Sequence, residues 1–365
     1  MSLGGTGWGA GMAPPHSVPG QPVMGSAHLA GPQEYVFPVQ DTFRPGESGQ
    51  GYALRLAAEN HLNGLPQLKI WLGKSRFATL DAVDSPLLHR WFGADERSLD
   101  HALGWIRTGK KSEEYVYAGH TLGRSYFLNR SYPRVCLKCL QAEGHCKTAW
   151  DFSLAVACPK HGDALAYTCP HCQRSITWHR PTPGTCSCHH EFSEADESAP
   201  ATPLEVQFAA WIDQQIEKST CVKDRTELLT QDSIDAPAEL TPLMRLVWPL
   251  SLNGGLCVAY ALATAAGYDE ASSSGVLRPR TPLKKAQKIL LNADQFAQKI
   301  QRRDEMHLRV KRPSVVVQLL ADCMTNKGPP ADRNLAQSLL CNILQIKSKA
   351  RWSGINPQLS QLPLF

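Results

Sequence analysis

The chain has 365 residues, a formal net charge of +5 and 42% hydrophobic residues, which is enough for about two to three domains with buried cores. This charge is too small to indicate a nucleic-acid-binding protein by itself, so an anionic partner must contact a local basic patch. The longest apolar stretch, residues 257–268, is too short and too polar to cross a bilayer, and the glycine-rich start lacks a charged secretory front end. These features exclude a membrane protein and lead us to expect a cytoplasmic one.

The first two regions differ in composition. Residues 1–44 are rich in Gly, Pro and Ser without an apolar period, so we predict a flexible tail. Residues 45–130 are predicted to form an N-terminal helical domain. Within it, residues 50–63 have apolar side chains near helical spacing, Gly64 and Pro66 interrupt the pattern, and a second short helix follows.

Two helices joined by a tight turn have the outline of a helix-turn-helix, a motif that reads DNA in some proteins and is a packing corner in many others. Both readings remain open from the sequence. Further helices are predicted over residues 85–93 and after Asp95, a plausible N-cap, with an end near Gly104.

Eight of the twelve cysteines lie between residues 136 and 188, mostly in closely spaced pairs. The pairs, including one histidine, are Cys136-x-x-Cys139, Cys158-x-x-His161, Cys169-x-x-Cys172 and Cys186-x-Cys188. A tetrahedral zinc ion takes four sulfur or nitrogen donors, and two donors on one tight turn can bind the same ion. Because cytoplasmic thiols stay reduced, this spacing predicts metal sites rather than disulfides.

Four half-sites make two sites. Consecutive pairing places the first two half-sites on one ion and the last two on another, and we favour it because it closes shorter loops. A cross-braced pairing, first with third and second with fourth, is also compatible with the sequence. Four protein donors leave no position for a reactive water, so we predict two structural Zn²⁺ ions per chain and a central zinc-ribbon region over residues 131–195.

The remaining cysteines and nearby histidines lack this pairing. We predict no metal ligand among Cys146, His145, His171, His189 and His190, and we expect Cys221, Cys257, Cys323 and Cys341 to be small buried hydrophobic residues.

Residues 200–365 are predicted to form a C-terminal helical domain. The clearest pattern lies in residues 281–303, where apolar side chains recur every three or four positions. The other face of this helix and the following segment are basic, through Lys284, Lys285, Lys288, Lys299, Arg302, Arg303, Arg309, Lys311 and Arg312. A solvated helix face and a phosphate-binding surface are both consistent with this pattern, and the scarcity of acids favours a phosphate partner. Lys69, Lys74 and Arg76 are further candidate contacts in the N-terminal domain.

The cysteine-rich region resembles the TniQ family of transposon proteins. The similarity rests on RVCLKCL, Trp150, ACPKHGDAL, CPHC and CSC, and upstream on Glu47-Ser48, Arg55, Ala57 and Asn60 at the family's spacing. It covers roughly residues 45–190. The chain departs from the pattern at Leu137, where the family usually has Pro, and at Gly49 and Gly51, which lower helix propensity by about 1 kcal/mol each relative to Ala.

The resemblance implies a non-enzymatic adaptor that selects target sites for transposition, in the bacterial cytoplasm at the nucleoid. Family members recruit a TnsC-like AAA+ ATPase. One branch, similar to TnsD, reads a DNA site itself, whereas another docks as a homodimer on a guide-RNA Cascade complex with crRNA and target DNA. The short chain and modest charge favour the second branch.

Two further classes are weighed against the adaptor. A zinc-containing transcription factor would use the same parts. An enzyme is not expected, because the sequence lacks a phosphate-binding loop, a serine nucleophile motif and an acidic two-metal set.

Overall fold

The computed structural model describes residues 35–75, 78–108, 113–193, 196, 198–220, 239–268, 282–302, 310–325 and 328–348. Val36–Phe365 fall within one compact unit, and the description below concerns its described residues. Most of the predicted tail lies outside the described residues. Its last part is packed, because Phe37 is buried and its ring stacks on Trp71 and Phe92, with centroids 5.6 and 5.1 Å away. Packed structure therefore begins ahead of residue 45.

Four helices follow: α1 (Gly49–Glu59), α2 (Gly64–Trp71), α3 (Ser85–Phe92) and α4 (Glu96–Leu103). Each predicted stop and start in the second pair has a local cause. The Asp95 carboxylate accepts a hydrogen bond from the Ser98 N–H and begins α4, as expected of an N-cap. Gly93 and Gly104 end α3 and α4 with positive φ angles, a conformation that glycine adopts without steric cost.

The turn between the first two helices differs from the prediction in its bounds. α1 ends at Glu59, and α2 already begins at Gly64 with Pro66 inside its first turn. Proline is tolerated there because the first N–H groups of a helix have no intrahelical acceptor. A helix-turn-helix function for this corner remains a prediction.

A small antiparallel sheet was not predicted from the sequence. Its strands β1 (Trp105–Thr108), β2 (Glu113–Tyr117) and β3 (His120–Leu122) lie in the order β1-β2-β3. The turn between β2 and β3 consists of Ala118 and Gly119, both with positive φ. Two-residue turns of this kind usually have the sequence Asn-Gly or Asp-Gly. Because alanine occupies the first position here, the sequence does not predict the hairpin.

The C-terminal region is helical, as predicted. After the short cysteine-region helix α5 (Leu137–Glu143), the chain forms the helices α6 (Pro203–Thr220), α7 (Pro242–Val247), α8 (Leu252–Ala266), α9 (Leu283–Gln301), α10 (Pro313–Thr325) and α11 (Pro330–Ser348). α8 lies at the centre, and α9 and α10 pack against it. A Cβ at Gly255 would lie 2.3 Å from the Trp211 ring, so glycine permits the close approach of α6. No described helix combines the length and hydropathy that crossing a membrane requires.

Apolar side chains form two cores. The core on the side of the predicted zinc sites, called the zinc-side core, combines α1–α4 with the cysteine region, through residues such as Leu54, Trp91, Val135 and Trp178. The helical core combines α6–α11 with the β2–β3 hairpin and residues 149–156. The mainly helical fold class is thus confirmed. The two cores cut across the predicted domain limits, because the hairpin and Phe152 pack with the C-terminal helices.

Candidate metal centres

Metal site A consists of Cys136, Cys139, Cys158 and His161, whose donor atoms all lie within 4.8 Å of one another. His161 Nδ1 lies 3.3 Å from the sulfurs of Cys136 and Cys139 and 3.5 Å from that of Cys158. The Cys139 and Cys158 sulfurs are 3.5 Å apart. All three cysteines are buried, so the four donors enclose one small space.

Metal site B consists of Cys169, Cys172, Cys186 and Cys188, with the same limit of 4.8 Å between donors. Sulfur–sulfur distances are 3.8 Å for Cys169 and Cys188 and 3.9 Å for Cys172 and Cys186. Cys172 and Cys188 are partly exposed, so site B lies nearer the surface than site A.

These distances fit a metal ion better than disulfides. Two thiolates on a tetrahedral zinc ion, each about 2.3 Å from it, lie about 3.8 Å apart. A disulfide would bring the sulfurs to about 2.0 Å. Both sets can therefore hold a metal ion, and the structure groups the half-sites consecutively rather than in the cross-braced arrangement.

Three of the four half-sites share one backbone shape. The residue directly after the second donor, Gly162, Gln173 or His189, has a left-handed φ of 70°, 56° or 66°. Its N–H donates to the carbonyl of the first donor, at 2.8 Å for Gly162 and 2.9 Å for the other two. The fourth half-site differs, because Cys136 is the N-cap of α5. Glycine at 162 signals this turn in the sequence, whereas glutamine and histidine do not.

Local hydrogen bonds favour a thiolate at one cysteine of each site. The backbone N–H of Arg174 and then its side chain lower the pKa of Cys172 to about 6. In site A, the Cys136 and Cys139 thiols lower the pKa of Cys158, and the His161 N–H adds to this effect. Thiolates are the ligand form of cysteine, and hydrogen bonding favours that form at Cys172 and Cys158. By contrast, burial raises the pKa of Cys169 and Cys186, and hydrogen bonds to the neighbouring thiols raise that of Cys139.

The upstream residues that resemble the TniQ pattern brace the chain around α1. The Arg55 guanidinium forms two hydrogen bonds of 2.8 Å to the Glu47 carboxylate, and both side chains are buried. Burial lowers the pKa of Arg55, but Glu47 outweighs burial and raises it overall. Ser48 caps α1 by accepting from the Gly51 N–H. The Asn60 amide donates to the Val39 carbonyl and accepts from its N–H, at 2.8 and 2.9 Å.

The two glycines that depart from that pattern lie where other segments approach α1 closely. A Cβ at Gly49 would lie 2.7 Å from Leu103 Cδ2, and one at Gly51 would lie 2.8 Å from Cys146 Cβ. α1 therefore forms despite the low helix propensity of glycine, because packing outweighs propensity at these positions.

The candidate phosphate contacts of the N-terminal domain are engaged within the protein. Lys69 is buried, and burial lowers its pKa to about 8. Lys74 pairs with Asp81 and Asp84 at 2.9 and 2.6 Å. Neither position favours a nucleic-acid contact, and Arg76 lies outside the described residues.

The basic residues of the C-terminal region are more accessible. Lys284, Lys288, Lys299, Arg302 and Lys311 are exposed and Arg312 is partly exposed, whereas Arg303 and Arg309 lie outside the described residues. Lys285 is partly buried, with its ammonium 6.0 Å from the centre of the Tyr268 ring. The exposed members on α9, Lys284, Lys288, Lys299 and Arg302, are called the α9 basic face below.

The cysteines and histidines that lack a closely spaced partner lie outside both donor sets found among the described residues. Buried Cys146 accepts a hydrogen bond of 3.2 Å from Arg180, and burial raises its pKa to about 11. The ring nitrogens of His145 lie 3.0 and 3.1 Å from the Glu143 and Pro45 carbonyl oxygens. Cys257 and Cys323 are buried in the helical core, as expected, whereas the expectation that Cys341 is buried is wrong, because its position on α11 is exposed. Cys221 lies outside the described residues.

Comparison with known proteins adds one match. Residues 38–165 match the model of the TniQ family, a range that includes α1–α5 and site A and ends before site B. No curated protein matches the chain. The family recognised from the spacing of the cysteines and the upstream motif is thus confirmed.

Proposed function

Because the chain belongs to the TniQ family through residues 38–165, we propose that it is a non-enzymatic adaptor that selects target sites for DNA transposition. The family suggests a role in target selection, and this match carries the proposal. The adaptor links a target-recognition complex to a TnsC-like AAA+ ATPase, which in turn brings the transposase. Its place is the bacterial cytoplasm, at the nucleoid.

Sites A and B each bind a structural Zn²⁺ ion in this proposal. Bound zinc supplies cross-links between distant turns and no reaction step, because four protein donors complete each tetrahedron. The sulfur-rich donor sets and their spacing of about 3.8 Å support zinc over the oxygen-preferring ions Mg²⁺ and Ca²⁺.

The cysteine region would act as a rigid connector. On one side, a Cβ at Gly64 of α2 would lie 2.5 Å from the Arg180 carbonyl oxygen, so α2 rests directly on this region. On the other side, buried Arg134, next to site A, donates to the carbonyls of Ser153 and Ala155 at 2.8 and 3.0 Å. Metal binding would therefore fix the zinc-side core relative to the helical core.

The partners follow from the family and the surface charge. We propose that a homodimer docks on guide-RNA Cascade with its crRNA and target DNA. The α9 basic face supports a contact with nucleic-acid phosphates, since its four basic side chains are exposed near the two ends of α9.

The proposal is tested by titrating fluorescent duplex DNA with zinc-loaded protein at low and near-physiological salt. Binding that is weak for every sequence and disappears at the higher salt concentration supports an adaptor whose target is specified by a guide complex. Tight binding to one attachment site at the higher salt would instead establish a TnsD-like DNA reader. The double variant Lys284→Glu/Lys288→Glu should weaken binding to all sequences and flatten its salt dependence, whereas the exposed control Arg333→Glu on α11 should not.

Association with the ATPase needs a separate test. Immobilised protein should retain a purified TnsC-like ATPase in the presence of ATP, and a mixture without zinc-loaded protein should not. If the ATPase does not bind while sequence-specific DNA binding persists, a zinc-containing transcription factor would be the better description.

A further inference from the structure

Two adjoining cavities lie beside α4, away from both metal sites. The first has a volume of about 300 Å³ and is lined by Arg97, Asp100, His101, Trp105, Val116 and Gly119. The second, of about 390 Å³, extends from α4 toward Phe43 and Arg44 on one side and toward Ile216 and Ser219 of α6 on the other. Arg97 and His101 line both cavities, so the two form one cleft, called the α4 cleft.

The wall of the first cavity is flat and aromatic. Trp105 and Val116 lie directly opposite each other on β1 and β2, and the Trp105 side chain is 41% exposed. Gly119 packs closely against His101, because a Cβ there would lie 2.9 Å from His101 Nε2. A half-exposed indole beside an open space offers a stacking platform for a planar ring.

Polar groups in the cleft lack protein partners. His101 Nε2 is buried without a hydrogen bond, a state that costs free energy unless a ligand or water satisfies it. Arg97 is exposed, and within the described part of the chain it forms no ion pair. By contrast, Glu47 in the second cavity is already bound by Arg55, so its charge is compensated.

We propose that the α4 cleft binds one unpaired nucleotide of a single-stranded or distorted nucleic acid. The base stacks on Trp105, and Arg97 contacts the phosphate. A volume of about 300 Å³ is at the small end of ligand pockets, which suits one nucleotide better than an extended chain. Stacking on an indole tolerates any base, so the cleft would recognise an unpaired base rather than a sequence.

This inference rests on the nucleic-acid part of the proposed function, and it concerns a surface separate from the α9 basic face. A chain that selects insertion sites would use such a cleft to detect a displaced strand or a frayed base pair. Loss of ATPase association would overturn the proposed function without affecting this site, because the test below uses the free zinc-loaded protein.

The test is a titration of a short single-stranded oligonucleotide carrying one central 2-aminopurine. Stacking on Trp105 should quench its fluorescence, and Trp105→Ala should abolish the quenching and weaken binding about tenfold or more. Arg97→Gln should reduce the salt slope by about one phosphate contact. The matched controls Ile70→Ala and Arg333→Gln, which change an exposed apolar residue and an exposed arginine elsewhere, should behave as the unaltered protein.

The fold of each variant is checked by its zinc content and circular dichroism, since Trp105 and Arg97 are both accessible. Unquenched fluorescence, or quenching that survives Trp105→Ala, would overturn the proposal. Selective binding of a labelled peptide with a free C-terminal phenylalanine would also overturn the proposal, if Arg97→Gln abolished that binding. The cleft would then recognise the carboxylate of a protein terminus.

Discussion

In the helical core, α8 buries every side chain from Gly254 to Ala265 against its neighbouring helices. In the zinc-side core, α1 is the helix most deeply buried, and the other half of that core is a cysteine region with one short helix, isolated bridges and tight turns. Its backbone hydrogen bonds lie in turns and isolated bridges rather than in long helices or a sheet. From this comparison we expect apolar burial to suffice on one side and metal cross-links, once the proposed ions are bound, to complete the other.

The largest expected effect is the loss of a metal ligand. Cys158→Ser should lower the zinc content from two ions per chain to one, since site A loses a buried donor. Structural zinc contributes on the order of 10 kcal/mol in small domains, so α1–α4 should lose protection from proteolysis. Metal analysis and limited proteolysis measure both effects.

Cys257→Ser is the matched control for that experiment. Its thiol is equally buried but belongs to the helical core, so two zinc ions should remain. Equal zinc content in the two variants would contradict the assignment of site A.

The next largest effect concerns Arg55, which pairs with the buried Glu47 carboxylate and with the more exposed Glu59 carboxylate. Arg55→Met should destabilise the protein by about 3–5 kcal/mol, because it leaves the buried Glu47 carboxylate without its positively charged partner. Glu59→Gln removes a more exposed partner of the same arginine and should cost about 0–1 kcal/mol. Urea denaturation followed by circular dichroism compares the two, and similar costs would argue against the bracing role.

A pH-dependent effect is expected where the hairpin meets residue 151. Burial raises the pKa of Asp151 to about 6, although hydrogen bonding from Tyr117 opposes the rise. A carboxyl whose pKa is higher in the folded state binds its proton more tightly there, so its contribution to stability falls as pH rises from about 4 to about 6. The change is at most about 3 kcal/mol.

Asp151→Asn should remove that part of the pH dependence, because the amide stays neutral. Denaturation of both proteins at pH 5 and pH 7 isolates the effect from metal release, which both share. The difference in unfolding free energy should shift in favour of the asparagine variant at the higher pH, and a constant difference would refute the raised pKa.

The smallest effect tests packing in the helical core. Gly255→Ala should cost about 1–3 kcal/mol, because the new methyl group would lie 2.3 Å from the Trp211 ring. Gly184→Ala is the control, since a Cβ at Gly184 meets nothing within 4 Å. Thermal unfolding should separate the two variants, and equal melting temperatures would mean that α6 and α8 pack less tightly than described.

Sequence patterns anticipated the helices and both donor sets for physical reasons. Metal donors repeat at short fixed spacings, and the stripe of α9 recurs at helical spacing, so local sequence carries both signals. The sequence does not predict the β2–β3 hairpin, because Ala118 occupies a left-handed turn position that alanine rarely adopts.

Long-range contacts set the limits of such reading. Lys69 looks like a surface cation in the sequence, but the packing of α2 buries it. The α4 cleft joins residues from α4, both strands of a hairpin and the end of α6, which no single segment reveals. Packing between distant segments determines both features. Neither the amino-acid composition nor the hydrophobic periodicity of a single segment reveals that packing.

The most direct test of the central comparison is hydrogen exchange of the zinc-loaded protein before and after chelation. We predict that amides of α1–α4 and the cysteine region lose protection when the metal is removed, while those of α8 and α9 keep it. Unchanged protection in the zinc-side core, or simultaneous loss in both cores, would contradict the account that metal completes one core and apolar burial the other.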